Sequence, residues 1–402
     1  MKLTALKVED FADVFSGGTP STRNSAFWDG GIPWITPKDL AGYEARYIAA
    51  GQRDISEEGL KNSSARLLPG DAVLLTTRAP IGYVALAATP LATNQGFKNL
   101  VCKRDLALPA FIYYLLKHST ALLESQATGA TFKELSASRL KAIILQLPDI
   151  VSQERIADIL TAYDDLIENN RRRIAILEKA ARQIYREWFV RLRFPGHEHT
   201  RINNGVPQGW ERRTLAELCE SINYGYTASA ALEEIGPKFL RITDIVPSFI
   251  DWSAVPHCAI EEERLRKFRL REGDIVIART GATVGYAKRL QKRHPESVFA
   301  SYLVRLRLKP DMDNLLIGAF VESDDYKSYV HSCVGGAAQP NANAKVLAAV
   351  KILVSPQRVQ CDFHDLVEPL VDEREVLQLQ NQNLKIARDL LLPRLMSGEI
   401  AV

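Results

Sequence analysis

Between residues 153 and 188 the apolar side chains fall in alternating steps of four and three. Ile156, Leu160, Tyr163, Ile167, Ile174, Leu177, Ala181, Ile184 and Trp188 form one line, broken only by the polar Asn170. A 3.5-residue period is the seam of a coiled coil, narrower than the stripe of an ordinary surface helix. At ~1.5 Å per residue, a helix over 156–188 is about 48 Å long. One polar side chain in an apolar seam fixes register and pairing at some cost in stability. Such a helix needs another helix to cover it.

Internal repetition locates the partner. Residues 70–83 read GDAVLLTTRAPIGY and residues 273–286 read GDIVIARTGATVGY, an offset of 203 with Gly, Asp, Val, Thr, Gly and Tyr matched. Upstream, PWITPKDL (33–40) corresponds to KFLRITDI (238–245). Downstream, residues 125–148 correspond to 332–356 with one residue inserted. The order holds over a long stretch, as a duplicated unit requires. It continues past Pro356, where Val359, Phe363, Leu366, Leu370, Leu377, Leu384, Ala387 and Leu391 again step by fours and threes, with Glu373 and Gln380 as polar interruptions. Pro369 lies inside this run and should kink or break the helix, because proline lacks the backbone donor. The expected order is globular module, long helix, globular module, long helix, with the two helices pairing.

Each module reads as α/β with short strands. Strands are expected at 32–35, 72–76, 83–87 and 99–102, with a helix at 109–117, between Gly, Pro and Asn turns. The second module repeats them at 239–242, 275–278, 285–288 and 302–308, with a helix near 314–322. Residues 192–209 (LRFPGHEHTRINNGVPQG) read as the linker into it.

Composition narrows the class without naming a partner. At 402 residues, 46% hydrophobic and 25% charged, the chain is an ordinary globular sequence of two or three domains. Its five cysteines (Cys102, Cys219, Cys258, Cys333, Cys361) are odd in number and scattered, which fits reduced thiols rather than a disulfide framework or a zinc site. No signal-like or membrane-length apolar run is present, so a soluble, cytoplasmic chain with no membrane association is expected. Net charge is only +3. Basic residues exceed acidic ones in 1–148 (16 against 13) and 197–356 (21 against 19) and fall short in 357–402 (5 against 8). That tilt is a weak pointer to a polyanion at the modules.

The catalytic inventory is sparse. There is no phosphate-cradling G-x-x-x-x-G-K-[ST] loop, no G-x-G-x-x-G after a strand, and no Asn/Asp-Pro-Pro-aromatic tetrapeptide. The close pair His197 and His199 reads as a solvated loop rather than a metal site, and Glu261, Glu262 and Glu263 as a solvated helix start. No metal or catalytic set is expected.

The shared Gly-Asp segment has two readings. Gly70, Asp71, Gly82, Gly273, Asp274 and Gly285 fit turns around a buried hairpin. Between them, residues 76–80 (TTRAP) and 279–283 (RTGAT) place hydroxyls, an arginine and amides at a tip, suited to phosphate or base-edge contacts. Thr77, Arg78, Arg279 and Thr280 are candidates there. The Gly-rich stretches 127–133 and 334–343 add Thr131 and Lys133, and Gln339, Asn341 and Asn343, the last three with amides that suit adenine edges or simply turns. Lys38 and Arg241, in the matched segments 33–40 and 238–245, complete the candidate DNA-binding set.

With these segments in order, the chain resembles the specificity (S) subunits of type I restriction–modification systems. The resemblance rests on KLTALKVEDFADVFSGGTPS, GGIPWITPKDL, GDAVLLTTRAPIG and its repeat GDIVIARTGATVG. QERIADILTAYDDLIENNRRRIAILEKAARQIYREWF and the closing LKIARDLLLPRLMSGEI extend it. It implies an α+β fold: two similar α/β target recognition domains (1–148 and 209–356), joined and spaced by two long antiparallel coiled-coil helices (149–192 and 357–402), with a linker at 193–208 and an internal pseudo-two-fold repeat. Each domain would bind one half of a bipartite, asymmetric site in double-stranded DNA. The helices would act as a ruler, with a coiled-coil interface that includes Ile156, Leu160, Tyr163, Ile167, Asn170, Ile174, Leu177, Ile184, Trp188, Leu366, Leu370, Leu377 and Leu384, and their outer faces would dock two methyltransferase subunits. Restriction subunits would join the full complex. S-adenosylmethionine, ATP and Mg would sit on those partners, with no cofactor and no catalysis on this chain. The run Arg171, Arg172, Arg173 reads as a solvated coil face, with phosphate or an acidic patch as the other reading. Two further readings are a subunit with cryptic nuclease or methylase activity and a coiled-coil scaffold that never meets DNA.

Overall fold

The computed structural model describes every residue except 1, 79, 130–132, 335–339 and 401. The chain divides into two compact units, Met1–Arg172 with Leu379–Val402, and Arg173–Gln378. Two helices run far longer than the rest, Ile150–Tyr185 and Gln357–Met396. The first continues into a π turn at Arg186–Val190. Each unit thus contains a module and one half of each long helix.

In the first unit a five-stranded sheet runs in the order Ala12–Ser16, Phe97–Cys102, Val73–Thr77, Ile81–Ala87, Tyr47–Ile48. The pairings are antiparallel except the last, which is parallel. Strand Val73–Thr77 is buried on both faces. Successive side chains of a strand point to opposite faces, so Val73 and Leu75 enter a core with Phe111, Ile112 and Leu116 of helix Pro109–His118, while Leu74 packs with Ile35, Ile48 and Phe97. Ile156 and Leu160 of the first long helix, and Leu395 and Met396 of the second, join the former core.

The second unit repeats this plan. Its four-stranded sheet runs Cys219–Tyr224, Leu303–Leu308, Ile275–Ala278, Ala287–Arg289. Ile275 and Ile277 face the core that contains helix Asn314–Val321, and Val276 and Ala278 face the other side. In each unit a short antiparallel pair closes the module: Thr4–Lys7 with Ile144–Leu147, and Glu211–Thr214 with Lys351–Val354, related by a sequence offset of 207.

A buried glutamine follows each closing pair at the same offset. Gln153 Oε1 accepts from the Leu108 N–H at 3.0 Å, and its amide donates to the carbonyls of Leu106 and Pro148, both at 2.9 Å. Gln360 accepts from the Asp313 N–H at 3.1 Å and donates to the Ser355 carbonyl at 2.9 Å. Leu108 and Asp313 are the N-cap residues of the module helices. The glutamines satisfy backbone groups that a helix start leaves orphaned, and so lock each long helix onto its module.

The long helices pair in reverse order. In the first unit Asp164 meets Arg388 and Asn170 meets Asn381. In the second, Arg173 meets Glu373 and Trp188 packs on Phe363. Ile156, Leu160, Ile167, Asn170 and Leu377 are buried, and Tyr163, Ile174, Leu177, Ile184, Trp188, Leu370 and Leu384 are half-buried. The second helix departs from its expected register. Leu366 is 48% exposed and Gln380 is exposed, whereas Val367, Gln378 and Asn381 are buried. Apolar spacing alone could not separate two seams one residue apart.

Three further expectations need correction. The second long helix runs through Pro369 without a break. Pro369 is exposed, so solvent can satisfy the carbonyl its missing N–H leaves free. The strand expected at 239–242 ends at Leu240, and Ile242–Ile245 is a helical turn capped by Asp244. The linker is built into the second unit: Phe194 and Trp210 are buried, with Trp210 packing against Phe189 at 5.7 Å, and Ile202–Asn203 pairs with Val206–Pro207.

The repeat also changes register inside the hairpin. Ala12 and Cys219, at the 207 offset, face Cys102 and Leu308. Across the next ladder Val73 and Ile275 face Leu100 and Leu306. The strand offset is therefore 202, not the 203 that aligns the Gly-Asp dipeptides. Asp71 (φ 64°) and Gly273 (φ 76°) accordingly share the left-handed turn position.

Candidate nucleic-acid interface

Five segments of the first unit meet at one end of its sheet. After strand Ala12–Ser16 the chain turns at Gly17, where a Cβ would lie 1.9 Å from the Asn94 carbonyl oxygen, so no larger residue fits. Gly18 N–H then donates to the Thr93 carbonyl at 2.9 Å, and the Thr19 hydroxyl donates to Gln95. Asn94 N–H donates to the Ile35 carbonyl at 2.9 Å, which brings in the turn Pro37–Leu40. Thr77 N–H donates to the Gly96 carbonyl at 2.8 Å, and Leu135 N–H donates to the Thr77 carbonyl at 3.0 Å. Arg78 pairs with Glu134 as an isolated bridge.

The second unit makes the same connections with different residues. A Cβ at Gly225 would lie 2.2 Å from the Ala300 carbonyl oxygen. Tyr226 N–H donates to Phe299, and Ala300 N–H to Leu240 just before Arg241. Arg279 N–H donates to the Tyr302 carbonyl at 3.0 Å, Ala342 N–H donates to the Arg279 carbonyl at 2.8 Å, and Thr280 bridges Asn341. Glycines and backbone bonds form a common frame, leaving the side chains free to differ.

Frame equivalence reassigns the tip residues. Thr77 corresponds to Arg279 and Arg78 to Thr280, so the two arginines do not occupy matching positions. Thr36 corresponds to Arg241, Ser16 to Tyr224, Gly96 to Tyr302 and Glu134 to Asn341. An extra residue in the bulge between Cys219 and Ser221 carries the offset at the first turn to 208.

The structure gathers most of the candidate residues and redefines several. Lys38, Arg78 and Lys133 are exposed on the rim of the first unit, beside exposed Gln95. Thr77 is fully buried with its hydroxyl bonded to the Gly96 carbonyl at 3.3 Å, a structural position. Thr131 and Gln339 lie outside the described residues. Beneath this rim, burial pushes the Lys98 ammonium below its ordinary pKa, and Glu134 lies 4.0 Å away. In the second unit Arg279, Thr280 and Asn341 come together, with Arg279 donating to Asn341 Oδ1 at 3.3 Å. Arg241 is held by both oxygens of Asp244 at 2.9 and 3.0 Å, bonds that raise its pKa.

Tyr224 and the 61%-exposed Tyr302 belong to this rim and escaped sequence reading. The pair SGGTPS (16–21) and YGYTAS (224–229) contained the signal, since both turn at a glycine before Thr. Arg171, Arg172 and Arg173 are ion-paired to Glu44, Glu168 and Glu373 of their own chain. Among the described residues, no three His, Cys, Asp or Glu side chains are grouped to hold a metal ion, and no helix is long and apolar enough to cross a membrane.

A family model described as the type I restriction modification DNA specificity domain matches residues 3–179. The type I restriction enzyme MjaIX specificity subunit of Methanocaldococcus jannaschii is 33% identical, over 98% of this chain and 93% of that protein. The chain belongs to the type I restriction–modification specificity subunits. The MjaVIII specificity subunit of the same organism is 21% identical over 99% of this chain and 92% of its own length. The crystal structure of the S subunit from M. genitalium shares the fold, with a TM-score of 0.65 at 16% identity, covering 98% of this chain and 96% of that one. For this specificity subunit, the family match spans the first module and most of the first long helix.

Proposed function

We propose that this specificity subunit recognises a bipartite, asymmetric DNA site, one half with each module, and carries no catalysis of its own. The observation that supports this reading is the pair of rims: one backbone frame, built twice, presenting unlike side chains. Two readers of different half-sites need that combination, because phosphate contacts position a protein while side chains at base edges specify sequence. Lys38, Arg78, Lys133 and Gln95 would serve the first half-site. Arg279, Thr280 and Asn341 would serve the second, with Arg241 at its margin.

In this reading the domains are 1–148 and 209–356, and the two long helices act as spacer between the half-sites. Exposed apolar residues on those helices, such as Leu366, Ile176 and Leu390, would receive two methyltransferase subunits. Restriction subunits would complete the assembly, and S-adenosylmethionine, ATP and Mg would belong to the partners.

The test is to co-express the chain with a methyltransferase subunit from its own operon and map modified bases across the host genome. A single split motif with a fixed gap supports the proposal. A soluble complex that modifies no motif, or binding to DNA that does not weaken as salt rises, would overturn it, since neutralising phosphates makes affinity fall steeply with salt.

A further inference from the structure

We infer that Arg279 reads a guanine in the half-site met by the second module, and that Tyr224 and Asn341 are its positioning residues. The inference rests on the function proposed above and names the base class that one side chain selects.

Arg279 is restrained at every level. Its backbone N–H and C=O are both bonded, to Tyr302 and Ala342. The guanidinium carbon lies 4.8 Å from the Tyr224 ring centroid. The Tyr224 hydroxyl is itself fixed, accepting from the Ala344 N–H at 3.0 Å. One terminal nitrogen of Arg279 donates to Asn341 Oδ1 at 3.3 Å, and Nε is enclosed, without a hydrogen-bond partner. The terminal nitrogens of the fork keep three N–H donors beyond the bond to Asn341. Such a fork matches guanine O6 and N7 in the major groove, the commonest bidentate arginine contact. Stacking on Tyr224 removes rotamer freedom before binding, so less is lost when the contact forms.

The same geometry changes the role of Asn341. Arginine can only donate, so the asparagine atom facing it must be Oδ1. Reading adenine takes both the oxygen and the amide of asparagine, bonding N6 and N7 together. Oδ1 is already bonded to Arg279, so an adenine contact would have to share that oxygen, and in this arrangement Asn341 aims the arginine. The first module has no counterpart: Thr77 is buried where Arg279 stands, and Ser16 and Glu134 replace Tyr224 and Asn341.

The experiment uses the complex with the methyltransferase subunit and compares the motifs modified by the parent, Arg279→Lys, Arg279→Ala and Asn341→Ala. Arg279→Lys keeps the charge but loses the planar fork. A base-reading arginine then loses roughly ten- to a hundredfold preference for guanine at one position of one half-site, and Asn341→Ala relaxes that same position by a smaller factor. The other half-site stays unchanged in every variant. If Arg279→Ala keeps full preference at every position, Arg279 reads no base and the inference fails. It fails too if the parent motif fixes no G·C pair in the affected half. A parent complex with no split motif would instead sink the proposed function itself. Complex yield and melting temperature of Arg279→Lys, matched to the parent, separate lost reading from lost folding.

Discussion

Asn170 donates to Asn381 Oδ1 at 3.0 Å inside the paired long helices, with both side chains more than nine-tenths buried. Asn381 also donates to the Ile167 carbonyl at 3.4 Å. Replacing Asn170 with Leu leaves Asn381 Oδ1 without its donor, and a buried unsatisfied group costs about 1–3 kcal/mol. Denaturant unfolding of Asn170→Leu should show that loss, and the double variant with Asn381→Leu should recover most of it. Equal stability of single and double variants would mean the pair sets no register.

The same position offers a test of the spacer. Inserting four residues after Asn170 adds about one helical turn to one helix and moves every later seam position. The expected outcome is a change in the preferred gap between half-sites, with each half-site sequence intact. Genome-wide mapping of modified bases reads both at once. Altered half-sites with an unaltered gap would refute the spacer.

Asp164 is the hub of a buried polar network in the first unit. It accepts from the Tyr114 hydroxyl at 2.6 Å and is ion-paired with Arg388, whose side chain is 15% exposed. Burial works against the charged guanidinium, but Asp164 outweighs it and raises the Arg388 pKa. Arg388→Met leaves a buried carboxylate without its counter-charge, a change that costs about 3–5 kcal/mol. Thermal melting of the purified complex should register it, and an unchanged melting temperature would show the pair to be dispensable.

His364 gives the second unit a pH-dependent contribution. Burial alone would lower its pKa, but hydrogen bonding to Asp313 at 2.5 Å, together with the charges of Asp313 and Glu368, raises it above the ordinary 6.5. Because the folded-state pKa is the higher, the stabilisation is full below about pH 6.5 and is lost as pH rises through the raised value. His364→Gln should flatten the stability profile over that window. A parallel shift of the whole profile would assign the effect elsewhere.

Arg78 is the exposed arginine of the first rim. Arg78→Ala should weaken reading of one half-site only, leaving the half-site affected by Arg279 unchanged. Identical motifs from parent and variant would remove Arg78 from the interface.

Much of this protein is set by local sequence. The four-three period over 153–188 specifies a long helix, because only a helix places those side chains on one line. The short unalternating runs VLLTT and IVIA specify strands buried on both faces, and the ordered repetition of motifs specifies two modules of one kind. Capping is equally local: Asp39 and Asp244 each bond the backbone three residues before them. What lay beyond the sequence was register. Val367 and Leu366 are both apolar, and only the opposing helix chooses between them. The Gly-Asp dipeptides suggested that Thr77 matches Thr280, but ladder hydrogen bonds reached through a third strand match it to Arg279. The rim itself is a tertiary product. Lys38, Arg78, Gln95 and Lys133 share no local pattern, and they meet because Gly17, Gly96 and Thr77 let separate loops bond backbone to backbone.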